Sequence, residues 1–84
     1  MLEDENRILI LQEYIRETQE FFLKQNKGEL YKHILELVER PLIKMVLEKT
    51  RGNQKKTAKI LGINRNTLHT KIKKLDINVS DFKK

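Results

Sequence analysis

The sequence predicts an all-α fold of four helices per chain, two long ones followed by two short ones. Three observations predict it. Apolar residues recur at spacings of three, four and seven, and no stretch alternates apolar and polar residues as a half-buried strand does. The breakers Gly28, Gly52 and Gly62 divide the chain into helix-length pieces. With 84 residues the chain is one domain at most, too small to bury a sufficient core easily by itself.

The first helix is expected from about Asp4 to Lys24, where Ile8, Leu11, Ile15 and Phe22 form a stripe that Leu9 and Phe21 widen. Asp4 is placed to cap its start, Glu3 and Glu5 to complement its dipole, and Asn26-Lys27-Gly28 to end it. The second runs from Glu29 to Thr50 and carries Leu30, Ile34, Leu37, Val38, Leu42, Met45 and Val46. Pro41 falls in its middle, where a missing backbone donor costs up to about 3 kcal/mol in a regular helix. Either two helices meet there or one helix kinks. The apolar register continues from Ile34 through Leu37 to Leu42 and Met45, and no Gly, Asn or Ser accompanies the proline, which favours one kinked helix.

Both long helices carry apolar faces wider than the rest of the chain can cover. Pairing with a second copy solves this, so residues 1–50 are expected to form the dimerisation region of an intertwined homodimer with a four-helix core. Its contacts would be Ile8, Leu11, Ile15, Phe22, Leu30, Ile34, Leu37, Leu42 and Met45.

Composition excludes several classes. The chain has no cysteine, which removes a disulfide-stapled secreted module and a cysteine zinc site. Its longest apolar run, Ile8 to Leu11, is far short of the roughly 20 residues that cross a bilayer, and nothing resembles a signal peptide. A soluble, cytoplasmic protein with no membrane partner is expected. The formal net charge of +6 is unevenly spread. Residues 1–50 hold 8 Lys/Arg against 10 Asp/Glu, a net of −2, whereas residues 51–84 hold 10 against 2, a net of +8. A third of the chain therefore carries more than the whole net charge, as a surface facing a polyanion would.

Within residues 51–84, Asn53 is placed to cap a two-turn helix that turns Ala58 and Leu61 inward, and Gly62 suits a left-handed turn. Asn64 then caps a second helix with Leu68, Ile72 and Leu75 on its inner face. With Gln54 as first position, Ala58 is fifth, Gly62 ninth and Leu68 fifteenth, the helix-turn-helix pattern: a small residue where the helices cross, glycine at the turn, an apolar residue where they pack. Lys71 departs from it, standing at an eighteenth position that is often apolar.

The outward residues of the second helix are Arg65, Asn66, Thr67, His69, Thr70, Lys71, Lys73 and Lys74, a face rich in donors. Arg65 suits a guanine edge, Asn66 an adenine, and Thr67 a phosphate or thymine methyl. Lys71, Lys73 and Lys74, with Lys55 and Lys56, suit phosphates, which set register without reading sequence. None of the aromatics Tyr14, Phe21, Phe22, Tyr31 and Phe82 interleaves with this cluster, which disfavours base stacking on single strands and favours duplex DNA. His69 has no second histidine or cysteine near it in sequence and His33 lies in the helical half, so no metal or other cofactor is expected. Neither paired carboxylates nor a nucleophile with a base suggests an enzyme.

Three stretches then carry a family resemblance: Glu29-Leu30-Tyr31 through Val38-Glu39-Arg40-Pro41-Leu42, Thr50-Arg51-Gly52-Asn53-Gln54, and Leu61-Gly62-Ile63-Asn64-Arg65-Asn66-Thr67-Leu68. Together they resemble the Factor for Inversion Stimulation (Fis) family, and equally the carboxy-terminal DNA-binding domain of NtrC-like, sigma-54-dependent activators. The match covers residues 29–78 closely and residues 4–24 by pattern only. The resemblance implies a homodimer whose first two helices interlock, with a helix-turn-helix at each end, binding and often bending double-stranded DNA. Asn53, Lys55, Asn64, Arg65, Thr67, Lys71, Lys73 and Lys74 are the contact positions it carries over. His69 and Thr70 stand where Fis usually has basic residues, and Asn66 leans toward the activator pattern. Only about three residues precede the first helix, so transcriptional regulation or DNA architecture is expected rather than the recombination-enhancing activity for which Fis uses an amino-terminal arm. ATPase or receiver domains, fused or separate, and RNA polymerase are the partners it suggests, in the bacterial nucleoid; no phosphate-binding glycine motif occurs in this chain. The competing reading is a helical dimerisation or protein-interaction module whose basic tail contacts RNA or an acidic partner.

Overall fold

The computed structural model of the chain describes residues 2–25 and 27–83, with side chains from Asp4 onward. Four α-helices follow one another, α1 (Leu2–Gln25), α2 (Leu30–Thr50), α3 (Gln54–Leu61) and α4 (Arg65–Lys74), and a 3-10 turn at Val79–Phe82 closes the chain. No strand occurs among the described residues.

One expectation changes. Leu2 is already helical, so Asp4 lies inside the first turn of α1 rather than at its cap. A carboxylate there still faces the positive end of the helix dipole. The side chain of Glu3 and the whole of Asn26, expected to complement that dipole and to end the helix, lie outside the described residues. The 3-10 turn was not expected at all. By contrast α2 is a single helix that passes through Pro41, with the Leu37 carbonyl deprived of its usual donor.

The chain divides into two compact units, Met1–Leu35 and Glu36–Lys84. The packing boundary thus lies inside α2, fifteen residues before the charge boundary at residue 50. In the first unit no described residue is buried. Its ring contacts run from Phe21 to Phe22, edge to face at 5.4 Å between centroids, and from Phe22 to His33 at 4.7 Å. His33 is therefore a packing partner of an aromatic ring.

The second unit owns the core. Ile43 and Leu47 of α2, Ala58 of α3, Leu68 and Ile72 of α4 and the following Leu75 are buried together, with Leu61, Ile63, Ile77, Val79 and Phe82 packed around them. The carboxy-terminal half of α2 has two apolar edges: Ile43 and Leu47 point into this core, while Leu42 and Met45 remain 48% and 66% exposed.

The three α-helices that end in this unit all stop with the same chemistry. After α2, Gly52 N–H donates to Leu47 O and Arg51 N–H to Glu48 O; after α3, Ile63 to Ala58 and Gly62 to Lys59; after α4, Ile77 to Ile72 and Asp76 to Lys73. These are Schellman closures, and the pivot residue of each is left-handed, Arg51 at φ 55°, Gly62 at 74° and Asp76 at 55°. Each start is also alike. Asn53, Asn64 and Asn78 cap through their side-chain oxygens, accepting the N–H of Lys56, Asn66 and Ser80 at 3.0, 2.7 and 3.2 Å.

Between α2 and α3 the one buried polar side chain among the described residues, Thr57, donates its hydroxyl to Asn53 O at 2.8 Å and meets the Thr50 hydroxyl at 2.8 Å. Both hydroxyls thereby have protein partners. Gly52, itself left-handed at φ 81°, lies beneath the 3-10 turn: an added Cβ would come within 2.7 Å of Lys83 Cγ and 3.3 Å of Val79 O.

Candidate nucleic-acid interface

The interface is built on α4. Leu68, Ile72 and Leu75, four and three apart, are buried at 0%, 5% and 2% exposure and fix which side of the helix faces inward. Everything opposite is consequently outward. Arg65, Asn66, Thr67, His69, Thr70, Lys73 and Lys74 are all exposed, and α4 contains no carboxylate. In its first turn the Asn66 N–H is held by the Asn64 cap, and the Asn66 carbonyl accepts the Thr70 hydroxyl at 3.0 Å. Those bonds fix the backbone of the first turn and leave the side chains of Arg65, Asn66 and Thr67 projecting from it.

The helix before it adds cations at its own start. Lys55 and Lys56 are exposed in the first turn of α3, next to the Asn53 cap. Ala58 is buried at the α3–α4 packing contact, as a small residue at a close crossing must be, and Gly62 turns the chain between them. Asn53 and Asn64, expected as contacts, spend their side-chain oxygens on helix caps; each amide NH2 points away from that bond as a donor.

Lys71 differs from its neighbours. Its ammonium pairs with the Glu39 carboxylate of α2, on the rim of an apolar notch of about 120 Å³ lined by Leu42, Ile43, Leu61 and Ile63. Sequence reasoning did not find Glu39, because nothing local links residues 39 and 71; its only trace was the odd charge at the eighteenth position. The expected dimer contacts lie outside this unit's core. Ile8, Leu11, Leu37, Leu42 and Met45 are exposed, and Ile15, Phe22, Leu30 and Ile34 are half-buried. Among the described residues, no group of three or more His, Cys, Asp or Glu is placed to hold a metal ion, and no helix is long and apolar enough to cross a membrane.

Comparison with known proteins agrees with this geometry. The family model described as "Bacterial regulatory protein, Fis family" matches residues 34–75. The DNA-binding transcriptional regulator NtrC of Azospirillum brasilense is 60% identical over 50 residues, which cover 60% of this chain and 10% of that protein. The DNA-binding protein Fis of Aliivibrio fischeri (strain MJ11) is 48% identical over 54 residues, covering 64% of this chain and 55% of that one. The Fis protein of Escherichia coli O1:K1 / APEC matches with the same identity and coverage. The matched stretch is thus about half the length of the Fis relatives and a tenth of the NtrC relative. No solved structure matches the chain significantly.

Proposed function

We propose, since the chain belongs to the Fis family of bacterial regulatory proteins, that it binds duplex DNA as a homodimer and regulates transcription. The observation that carries this reading is the two-sided character of α4, whose inner face is locked by Leu68, Ile72 and Leu75 while its outer face offers only neutral and cationic donors. Such a helix suits a major groove, whose base edges take bidentate donors. Arg65 reads a guanine and Asn66 an adenine, Thr67 meets a phosphate or a thymine methyl, and His69 and Thr70 flank them. Lys55, Lys56, Lys73 and Lys74 neutralise phosphates and hold the register, aided by the amides of Asn53 and Asn64.

The homodimer reading is supported by the exposed apolar residues of α1 and α2, with Ile8 at 53%, Leu11 at 46% and Met45 at 66%. A second copy covers them and brings two reading helices to one duplex. The higher identity to the NtrC regulator over a stretch of similar length favours an activator-type reading head, and Asn66 is consistent with it. ATPase or receiver domains and RNA polymerase are then the partners of the process, and the nucleoid of the bacterial cytoplasm its place. The chain binds and performs no catalysis.

The test is titration of labelled duplexes by fluorescence anisotropy, against a salt series. Arg65→Ala abolishes discrimination between a selected site and random duplex, whereas Lys73→Ala weakens both equally and lowers the salt slope by about one. Equal loss on every sequence for both variants would refute the division of roles. Tighter binding to single-stranded RNA than to duplex DNA would favour the competing module.

A further inference from the structure

We infer that Lys71 is a positioning residue of the reading helix rather than a phosphate contact, its charge committed to Glu39 so that α4 is held against α2 at one rotation. The assignment rests on the duplex-binding reading above. At 100° per residue, Lys71 falls roughly 60° from the direction of Leu68, while Lys73 and Lys74 fall roughly 120–140° away. Lys71 therefore lies on the flank of the buried face, between core and solvent, and the other two point outward. Burial agrees: the Lys71 side chain is 36% exposed and that of Glu39 24%, whereas Lys73 and Lys74 are exposed.

The pair closes one edge of the apolar notch formed by Leu42, Ile43, Leu61 and Ile63. The lysine stem lies on apolar surface and its head meets a carboxylate from the preceding long helix, an arrangement that suits a long amphipathic side chain. A helix packed through Leu68, Ile72 and Leu75 alone has apolar contacts, which are non-directional and tolerate small rotations about its axis. One flanking ion pair resists that rotation, and rotation is what would change which of Arg65, Asn66 and Thr67 meets a base edge. Lys71 thus acts on sequence discrimination through Glu39, without touching DNA.

The experiment uses the full chain and a random-sequence duplex over a potassium chloride series, with a selected site alongside. Lys73→Gln serves as reference and lowers the salt slope by about 0.9, the value of one phosphate contact on B-DNA. Lys71→Gln is expected to leave that slope unchanged while reducing the preference for the selected site. The charge swap Glu39→Lys with Lys71→Glu, which restores the pair in reverse, is expected to keep the parent slope and to recover the preference. A fall in slope for Lys71→Gln equal to that for Lys73→Gln overturns the inference while leaving duplex binding intact. So does a swap that binds worse than Lys71→Gln, because a glutamate would then be facing phosphate. Should Lys71→Gln fail to fold, the swap decides alone. Absence of any salt-dependent duplex binding by the parent chain overturns both the inference and the reading beneath it.

Discussion

Alanine at two left-handed glycines of the same unit separates two costs that are normally confounded. Gly62 and Gly52 have similar backbones, φ 74° and 81°, but different surroundings. A Cβ on Gly62 meets nothing within 4 Å, so Gly62→Ala costs only the left-handed strain of an L-residue, about 1–2 kcal/mol. Reduced freedom of the unfolded chain offsets about 0.4–1 kcal/mol of that. Gly52→Ala carries the same two contributions, and its methyl also lands 2.7 Å from Lys83 Cγ and 3.3 Å from Val79 O. The lysine carbon swings aside, but the carbonyl belongs to the 3-10 turn and moves only if Val79 and Phe82 shift on the core. Overpacking of that kind costs about 1–3 kcal/mol. The gap between the two variants is therefore about 1–3 kcal/mol, or roughly 5–20 °C in Tm for a domain of this size. Thermal unfolding followed by circular dichroism at one fixed chain concentration measures it, since a dimer's Tm depends on concentration. Equal losses, or a milder loss at Gly52, would sink the claim that the 3-10 turn is packed on that glycine.

Other perturbations test other links. Leu68→Ala, at a site with no exposure, is expected to cost about 2–5 kcal/mol and to abolish DNA binding with it, which denaturant titration and anisotropy together check. Thr57→Val removes the bonds to Asn53 O and the Thr50 hydroxyl at nearly constant volume and should cost about 1–2 kcal/mol; an unchanged midpoint would show that the threonine pair is idle. Arg51→Gly relieves a left-handed arginine and should raise the Tm followed by circular dichroism; an unchanged or lower Tm would show that the arginine carries no net strain there. Met45→Glu places a charge on an exposed apolar edge away from the core, so sedimentation should show a folded monomer; an intact dimer would remove Met45 from the interface.

What was legible in the sequence had local causes. Asn53 and Asn64 as caps, Gly62 at the turn and Leu68, Ile72 and Leu75 inward all follow from side-chain chemistry acting within a few residues. The continuity of α2 through Pro41 was legible because apolar register reports on a helix even where one donor is missing. Long-range features were not. Ile43 and Leu47 are apolar neighbours of Leu42 and Met45, and only the position of α4 decides which edge is buried. Arg51 has no intrinsic leaning to the left-handed region; it adopts that state because the helix must end between Leu47 and Gly52. Asp76 is better suited to it, yet a single aspartate after a lysine-rich turn is a faint signal. The 3-10 turn at Val79–Phe82 owes its place to Gly52, nearly thirty residues earlier.

The repeated arrangement of asparagine start and left-handed stop bears on how the reading head travels between proteins. Helices α3 and α4 are each begun and ended by residues a few places away, so much of their native structure forms with little loop to close, and low contact order of this kind goes with rapid folding. A segment able to fold promptly from its own instructions can sit at the end of a long chain without waiting for, or entangling with, what precedes it. The matched stretch is a tenth of one relative and about half of another. Self-punctuated helices are the physical trait that such modular reuse demands.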